Sequence, residues 1–143
     1  FLSDPATALL STSIANVWRG TAQSMILLYA GVKTVDKQLL EAASIDGASS
    51  IKKLIHITIP GMKSVIMINV LLNIINTFNT FDMIMPLTGG GPGRSTEVLV
   101  LSVYRNIFQQ LDLGKGCAVA VILLMINIAF SVGYFILNRG DEA

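Results

Sequence analysis

One run constrains this chain more than any other: residues 117–137 carry no formal charge and only two strongly polar side chains, Asn127 and Ser131. About 20 apolar residues in a helix cross a bilayer, and a helix satisfies its own backbone polar groups there. Two further stretches have the length, residues 8–32 and 64–85. The first is the least apolar, with Asn16, Arg19 and Gln23 inside it. The expected fold is therefore all-α, a polytopic membrane helical bundle with three spans. Charged residues make up 13% of the chain, against roughly 25% in soluble domains, which agrees with lipid as the solvent. A net charge of +1 implies no polyanion, so nucleic acid is not an expected partner.

The connections between the spans are unequal. Residues 33–63 hold five lysines (Lys33, Lys37, Lys52, Lys53 and Lys63), whereas residues 86–116 hold Arg94, Arg105 and Lys115. Basic connections stay cytoplasmic, so the first should lie inside, the second outside, and Arg139 inside again. No basic region precedes the first apolar stretch, so no signal peptide is expected. The chain opens on Phe1 in a short loop, and further sequence is expected upstream.

A connection over residues 33–63 is long for a helix bundle, where about 2–8 residues are usual, and it is expected to be structured. Thr34 or Asp36 can cap a helix through Ile45, and Gly47 suits the left-handed position that ends it. Ser49 or Ser50 can cap a second helix over residues 51–58, with Pro60-Gly61 as its stop. Small residues at the exposed end (Ala42, Ala43, Ser44, Gly47, Ala48) would let another protein approach closely. An amphipathic helix resting on the membrane surface is the other reading, and the residues alone leave both open.

The second span carries Asn69, Asn73, Asn76, Thr77 and Thr80, which share one face of a 3.6-residue helix. Amides and hydroxyls both donate and accept, which suits a neutral polyhydroxylated solute. Such groups also hold membrane helices together, at about 0.6–2 kcal/mol each. Asn16, Arg19, Gly20 and Gln23 form a corresponding face on the first span. Arg19 costs roughly 2.5–3.5 kcal/mol in lipid, so it should meet water, ligand or an acid, or else snorkel. After the glycine-rich turn, Ser95 or Thr96 can cap an outer interfacial helix over residues 98–111, with Glu97 in its first turn. The lone Cys117 offers no disulfide or zinc spacing. The lone His56 is neither a metal site nor half of a catalytic pair, and a surface or headgroup contact is expected for it. Trp18 and Tyr29 suit packing or an interface anchor as well as a sugar platform. No catalytic set is present, so an enzyme is not expected.

Glu41-Ala42-Ala43-Ser44-Ile45-Asp46-Gly47-Ala48, followed by Ile57-Thr58-Ile59-Pro60, resembles the EAA motif of permeases of binding-protein-dependent ABC importers. The wider pattern is similar to the carbohydrate (maltose-transporter) type. It includes Asn16-Val17-Trp18, Ala30-Gly31, Leu87-Thr88-Gly89-Gly90-Gly91-Pro92-Gly93, Thr96-Glu97 and Asp112-Leu113-Gly114. The resemblance covers essentially all 143 residues and implies the C-terminal part of a permease domain, in a bacterial or archaeal inner membrane. It implies a coupling helix in which Glu41, Ala42, Ala43, Asp46, Gly47 and Ala48 meet a separate ATPase. The implied substrate path is Asn16, Arg19, Gly20, Gln23, Asn73, Asn76, Thr77 and Thr80. Several of these differ from the maltose type, which leaves a partly charged sugar or a glycerol-phosphate-like solute open, as well as peptide or amino-acid cargo. The implied partners are ABC ATPase subunits, a second permease subunit (hetero- or homodimer), an extracytoplasmic solute-binding protein, membrane lipid and a sugar. ATP and magnesium would be bound by the ATPase, since this chain has no phosphate-binding loop. A passive channel or a membrane enzyme is the reading from another class.

Overall fold

The computed structural model describes residues 2–139, with side chains to residue 136. Phe1 at the start of the opening loop and the Arg139 side chain lie outside the described residues. The chain divides into two compact units, one of Phe1–Gly20 with Leu71–Ala143, the other of Thr21–Val70.

The first long helix, α1, runs Pro5–Thr34, starting three residues before the expected span. Asp4 accepts the Thr7 amide at 3.1 Å, and Pro5 suits a first helical position, where no amide partner is needed. Asp36, not Thr34, caps α2 (Lys37–Ile45), accepting the Gln38 amide at 2.8 Å. The stop is a complete Schellman motif: the Ala48 amide bonds the Ala43 carbonyl at 2.9 Å and the Gly47 amide bonds Ser44 at 3.2 Å. Gly47 sits at φ +75°, a conformation that costs other residues about 1–2 kcal/mol. Ser49 then caps α3 (Ser50–Lys53).

Pro60 does not end the second helix of this loop. A π-helical turn, Leu54–Thr58, carries the chain into α4, Ile59–Gly61. A proline ring crowds the carbonyl four residues back and offers no amide. The wide turn, in which the Ile59 amide reaches back five residues to Leu54, relaxes that crowding. The path breaks at Met62 and bends by 72° into α5, Lys63–Phe78. Within this unit Val35, Met62, Thr58 and Asn69 are buried. A Cβ on Gly61 would sit 3.3 Å from Val35, and one on Gly31 would sit 3.0 Å from Met62 and Val65.

The stretch expected as a continuous second span is carried by two helices, α5 and α6 (Phe81–Leu87). Side chains take the carbonyls of the last α5 turn: Asn79 Nδ2 donates to Ile75 at 2.8 Å, and Thr80 Oγ1 to Asn76 at 2.9 Å and Thr77 at 2.8 Å. Such back-bonding competes with the helical ladder. The outer helix is α7 (Leu99–Tyr104) plus a second π turn, Arg105–Gln109. Its cap is Val98, without a side-chain bond, rather than Ser95 or Thr96. The Thr96 hydroxyl is committed elsewhere, to Thr88 Oγ1 at 2.7 Å and the Gly91 carbonyl at 3.0 Å.

The last helix, α8, runs Leu113–Arg139. It begins four residues before the expected span because Asp112 accepts the Lys115 amide at 3.0 Å. That amide, with the Lys115 ammonium, holds the Asp112 carboxyl below its usual range. The helix packs on α7, where Leu101 is fully buried, and Phe78 meets Phe130 at 5.1 Å between ring centroids. Its first turn is pressed onto the π turn: a Cβ on Gly116 would lie 2.3 Å from Ile107 Cγ1.

Among the described residues, Leu113–Ile136 is the helix long and apolar enough to cross a membrane alone, with a mean hydropathy of 2.4. Ser50–Gly61 with Lys63–Phe78 qualifies as a bent pair, and α1 has the length but is less apolar. Only 6% of the α8 stretch is buried, so its Val121, Leu124, Ile128 and Phe135 side chains are open. A soluble protein's core helix would be covered. The architecture is an all-α membrane helical bundle.

Candidate functional site

In the unit that joins residues up to Gly20 with those from Leu71 onward lies an open cleft of about 190 Å³, lined by polar and apolar residues, with apolar atoms making up most of its surface. From α1 come Thr12, Ser13 and Asn16; from the α5–α6 break come Thr77 and Thr80. The segment before α7 supplies Ser95, Thr96 and Glu97, while Leu9, Ile84 and Val98 form the apolar part. Three of the expected path residues (Asn16, Thr77 and Thr80) therefore come together here. Thr77 back-bonds to the Asn73 carbonyl at 2.8 Å. Gly20 sits against Asn73, where a Cβ would lie 3.3 Å from Oδ1. Asn76 is exposed on α5, and Gln23 and Asn69 belong to the other unit.

The cleft's one carboxylate is shared by two arginines. Glu97, 13% exposed, meets Arg94 at 2.6 Å and Arg105 at 3.1 Å. Arg105 also donates to the Gly89 carbonyl, so the glycine turn, Glu97 and the second π turn form one clasp. Gly90 lies inside it at φ +87°, and a Cβ there would be 2.6 Å from Leu101 Cδ2. Ser95 Oγ is buried with no hydrogen-bond partner. The Thr12, Ser13, Thr77 and Thr80 hydroxyls donate to carbonyls one helical turn back and keep lone pairs to accept from a solute, and Asn16 adds an amide.

Arg19 meets an acid, as its cost in lipid required: Nη1 lies 2.7 Å from Asp82 Oδ1, with the side chains 47% and 62% exposed. An exposed pair of this kind contributes about 1 kcal/mol or less. Asp82 as the partner of Arg19 and the Thr12–Ser13 pair were not singled out from the sequence, and Ser95 stood out there only as a cap candidate. A signal existed for the last pair, which lies one helical turn before Asn16.

The loop between α1 and α5 presents a second surface. No residue of α2 is buried: Glu41, Ala42, Asp46 and Gly47 are exposed, and Ala43 and Ala48 are half-buried. Ile45 is 87% exposed and Leu39 is open as well. No atom lies within 4 Å of a Cβ placed on Gly47. Lys53 Nζ donates to Ser44 Oγ at 2.9 Å, tying α2 to α3.

A long apolar helix open along its length, a cleft that carries hydroxyls and an amide, and an uncovered helix–glycine–helix loop together describe a membrane chain with surfaces left for partners. The chain belongs to the family of binding-protein-dependent transport system inner membrane components, whose pattern it matches over residues 1–140. It is 31% identical to the sulfoquinovosyl glycerol transport system permease protein SmoG of Agrobacterium fabrum, over 99% of this chain and 46% of that protein. It is 34% identical to the trehalose/maltose transport system permease protein MalF of Thermococcus litoralis, over 97% of this chain and 47% of that protein. To the sn-glycerol-3-phosphate transport system permease protein UgpA of Agrobacterium fabrum it is 36% identical, over 94% and 46%. The chain spans about half the length of the curated relatives it matches.

Proposed function

We propose that the chain is the coupling and path-forming part of the permease subunit of an ATP-driven, binding-protein-dependent importer for a sugar. The observation that carries this reading is α2. It is a capped helix with a Schellman stop, none of its residues is buried, and apolar Leu39 and Ile45 are open beside Glu41 and Asp46. An uncovered surface of that make suits a protein partner. The partner is a separate ATPase that binds ATP and magnesium, and Glu41, Ala42, Ala43, Asp46, Gly47 and Ala48 form the face that meets it. ATP-driven closure of two such ATPases pulls on α2 and, through it, switches the spans between inward- and outward-facing forms.

In this reading α1, α5–α6 and α8 are three crossings of a bacterial or archaeal cell membrane, with the lysine-rich loop in the cytoplasm. A second permease subunit completes the path, and a solute-binding protein delivers cargo from outside. Asn16, Arg19, Gly20, Gln23, Asn73, Asn76, Thr77 and Thr80 face the solute. The Asn16 amide and the hydroxyls of the cleft suit a sugar, and Glu97, held by Arg94 and Arg105, is not a free anion. One relative is named for sn-glycerol-3-phosphate transport, and Arg19 would serve such an anion. The Asp82 partner at 2.7 Å offsets that charge and favours the neutral cargo.

Asn76→Ala in the full-length permease tests the path. Uptake is expected to fall about tenfold, the effect of losing one well-placed hydrogen bond, with the ATPase still bound. Uptake at the unsubstituted rate would remove Asn76 from the path.

A further inference from the structure

The helical path Ser50–Gly61 carries a feature that docking of α2 does not use. Ile51, Leu54, Ile55 and Ile59 are open to solvent, Ile51 at 70%, and Lys52 and His56 are exposed beside them. Lys52, Lys53, His56, Ala48 and Ile57 line a cavity of about 360 Å³. His56 Nδ1 lies 3.1 Å from the Lys52 carbonyl. A carbonyl only accepts, so Nδ1 is the donor here. Lys53 uses one of its three donors on Ser44. The segment contains no Asp or Glu.

Its direction is equally specific. The path is bent by 72° from α5, with Met62 alone between them. If α5 crosses the membrane, as the proposed function has it, a helix turned that far at the end of a span lies close to the plane of the bilayer, at headgroup depth. A helix there with an apolar face and a cationic edge matches the chemistry of an anionic lipid surface. A protein partner can also cover open aliphatic side chains, but the 72° turn that lays this helix along the bilayer, together with its lysines and lack of acidic residues, favours lipid.

We propose that Ser50–Gly61 is a membrane-surface helix that sinks Ile51, Leu54, Ile55 and Ile59 into the acyl boundary and holds anionic phospholipid headgroups with Lys52 and Lys53. The loop then has two faces with two tasks: α2 meets a protein, and the following helix meets lipid, fixing the level at which α2 is presented.

The test uses the full-length permease with its partner subunits in lipid nanodiscs. Ile55→Cys in a Cys117→Ala background carries a bimane fluorophore, and phosphatidylcholine with a nitroxide high on its acyl chain is the quencher. Quenching by this lipid, with and without the ATPase present, is the expected result. A fluorophore untouched by the lipid nitroxide overturns the proposal, whether an aqueous quencher reaches it (a bare surface) or the ATPase shields it (a protein contact). The headgroup half is read from the association of spin-labelled phosphatidylglycerol relative to phosphatidylcholine, which Lys52→Gln should lower about fivefold. An unchanged ratio in that variant would sink it. ATPase retention, scored on the same samples, keeps the importer reading separate: lipid quenching without a bound ATPase leaves this inference standing and removes the other.

Discussion

Full-length permease carrying Gly47→Asp is expected to lose its ATPase on purification, and ATP-driven uptake should fall about a hundredfold, the scale of a lost interface anchor. Folding should be barely disturbed. A side chain at this position meets no atom within 4 Å in its own chain, so the intramolecular cost is the left-handed φ alone, about 1–2 kcal/mol. A thermal melt and a co-purification on the same sample separate the two effects. Gly47→Asn sharpens the contrast, because asparagine tolerates the left-handed conformation. If only the backbone turn mattered, Asn would restore coupling. Close approach of a partner predicts that Asn stays uncoupled while its melt matches the unsubstituted protein.

The second large effect is on stability. Gly90→Ala places a methyl group 2.6 Å from buried Leu101 and 3.1 Å from the Arg105 guanidinium, at φ +87°. Overpacking costs about 1–3 kcal/mol and the backbone conformation about 1–2 kcal/mol, for a total near 2–5 kcal/mol. Gly93→Ala is the internal control. It also has positive φ, +57°, but meets nothing within 4 Å, so it should cost only the conformational part. Melts of the two variants should differ accordingly, and equal melts would mean that the Gly89–Glu97–Arg105 clasp does not hold the outer helix.

The features legible in the sequence were those set by neighbours along the chain. Asp36 as a cap, Gly47 as a left-handed stop and Ser49 as the next cap follow from chemistry within four residues. The apolar length of α8 did too, although Asp112 started the helix earlier than hydropathy alone would place it. Pro60 misled, because a π turn upstream can absorb a proline that a regular helix cannot. The α5–α6 break was hidden for a related reason. Thr77 and Thr80 read as part of a polar face, and only in the folded chain do they, with Asn79, turn back onto carbonyls of α5. Ser95 and Thr96 are both cap candidates by position, yet the Thr96 hydroxyl bonds Thr88 and Gly91. Partners far along the chain were out of reach altogether: Asp82 lies 63 residues from Arg19, and Arg105 lies 16 from Gly89. The cleft was accordingly half-visible. Its Asn16, Thr77 and Thr80 walls stood out, while Ser95 and Glu97 entered only when the glycine turn folded over it.

The central claim is that the full-length protein imports solute only when driven by a separate ATPase and supplied by a binding protein. The most direct test is uptake into proteoliposomes holding the complete permease pair and the ATPase, with radiolabelled sugar, ATP and the solute-binding protein supplied or withheld in turn. The account predicts uptake with all components and background without either ATP or the binding protein. Equal sugar entry in the absence of both would contradict it and make the chain part of a passive channel.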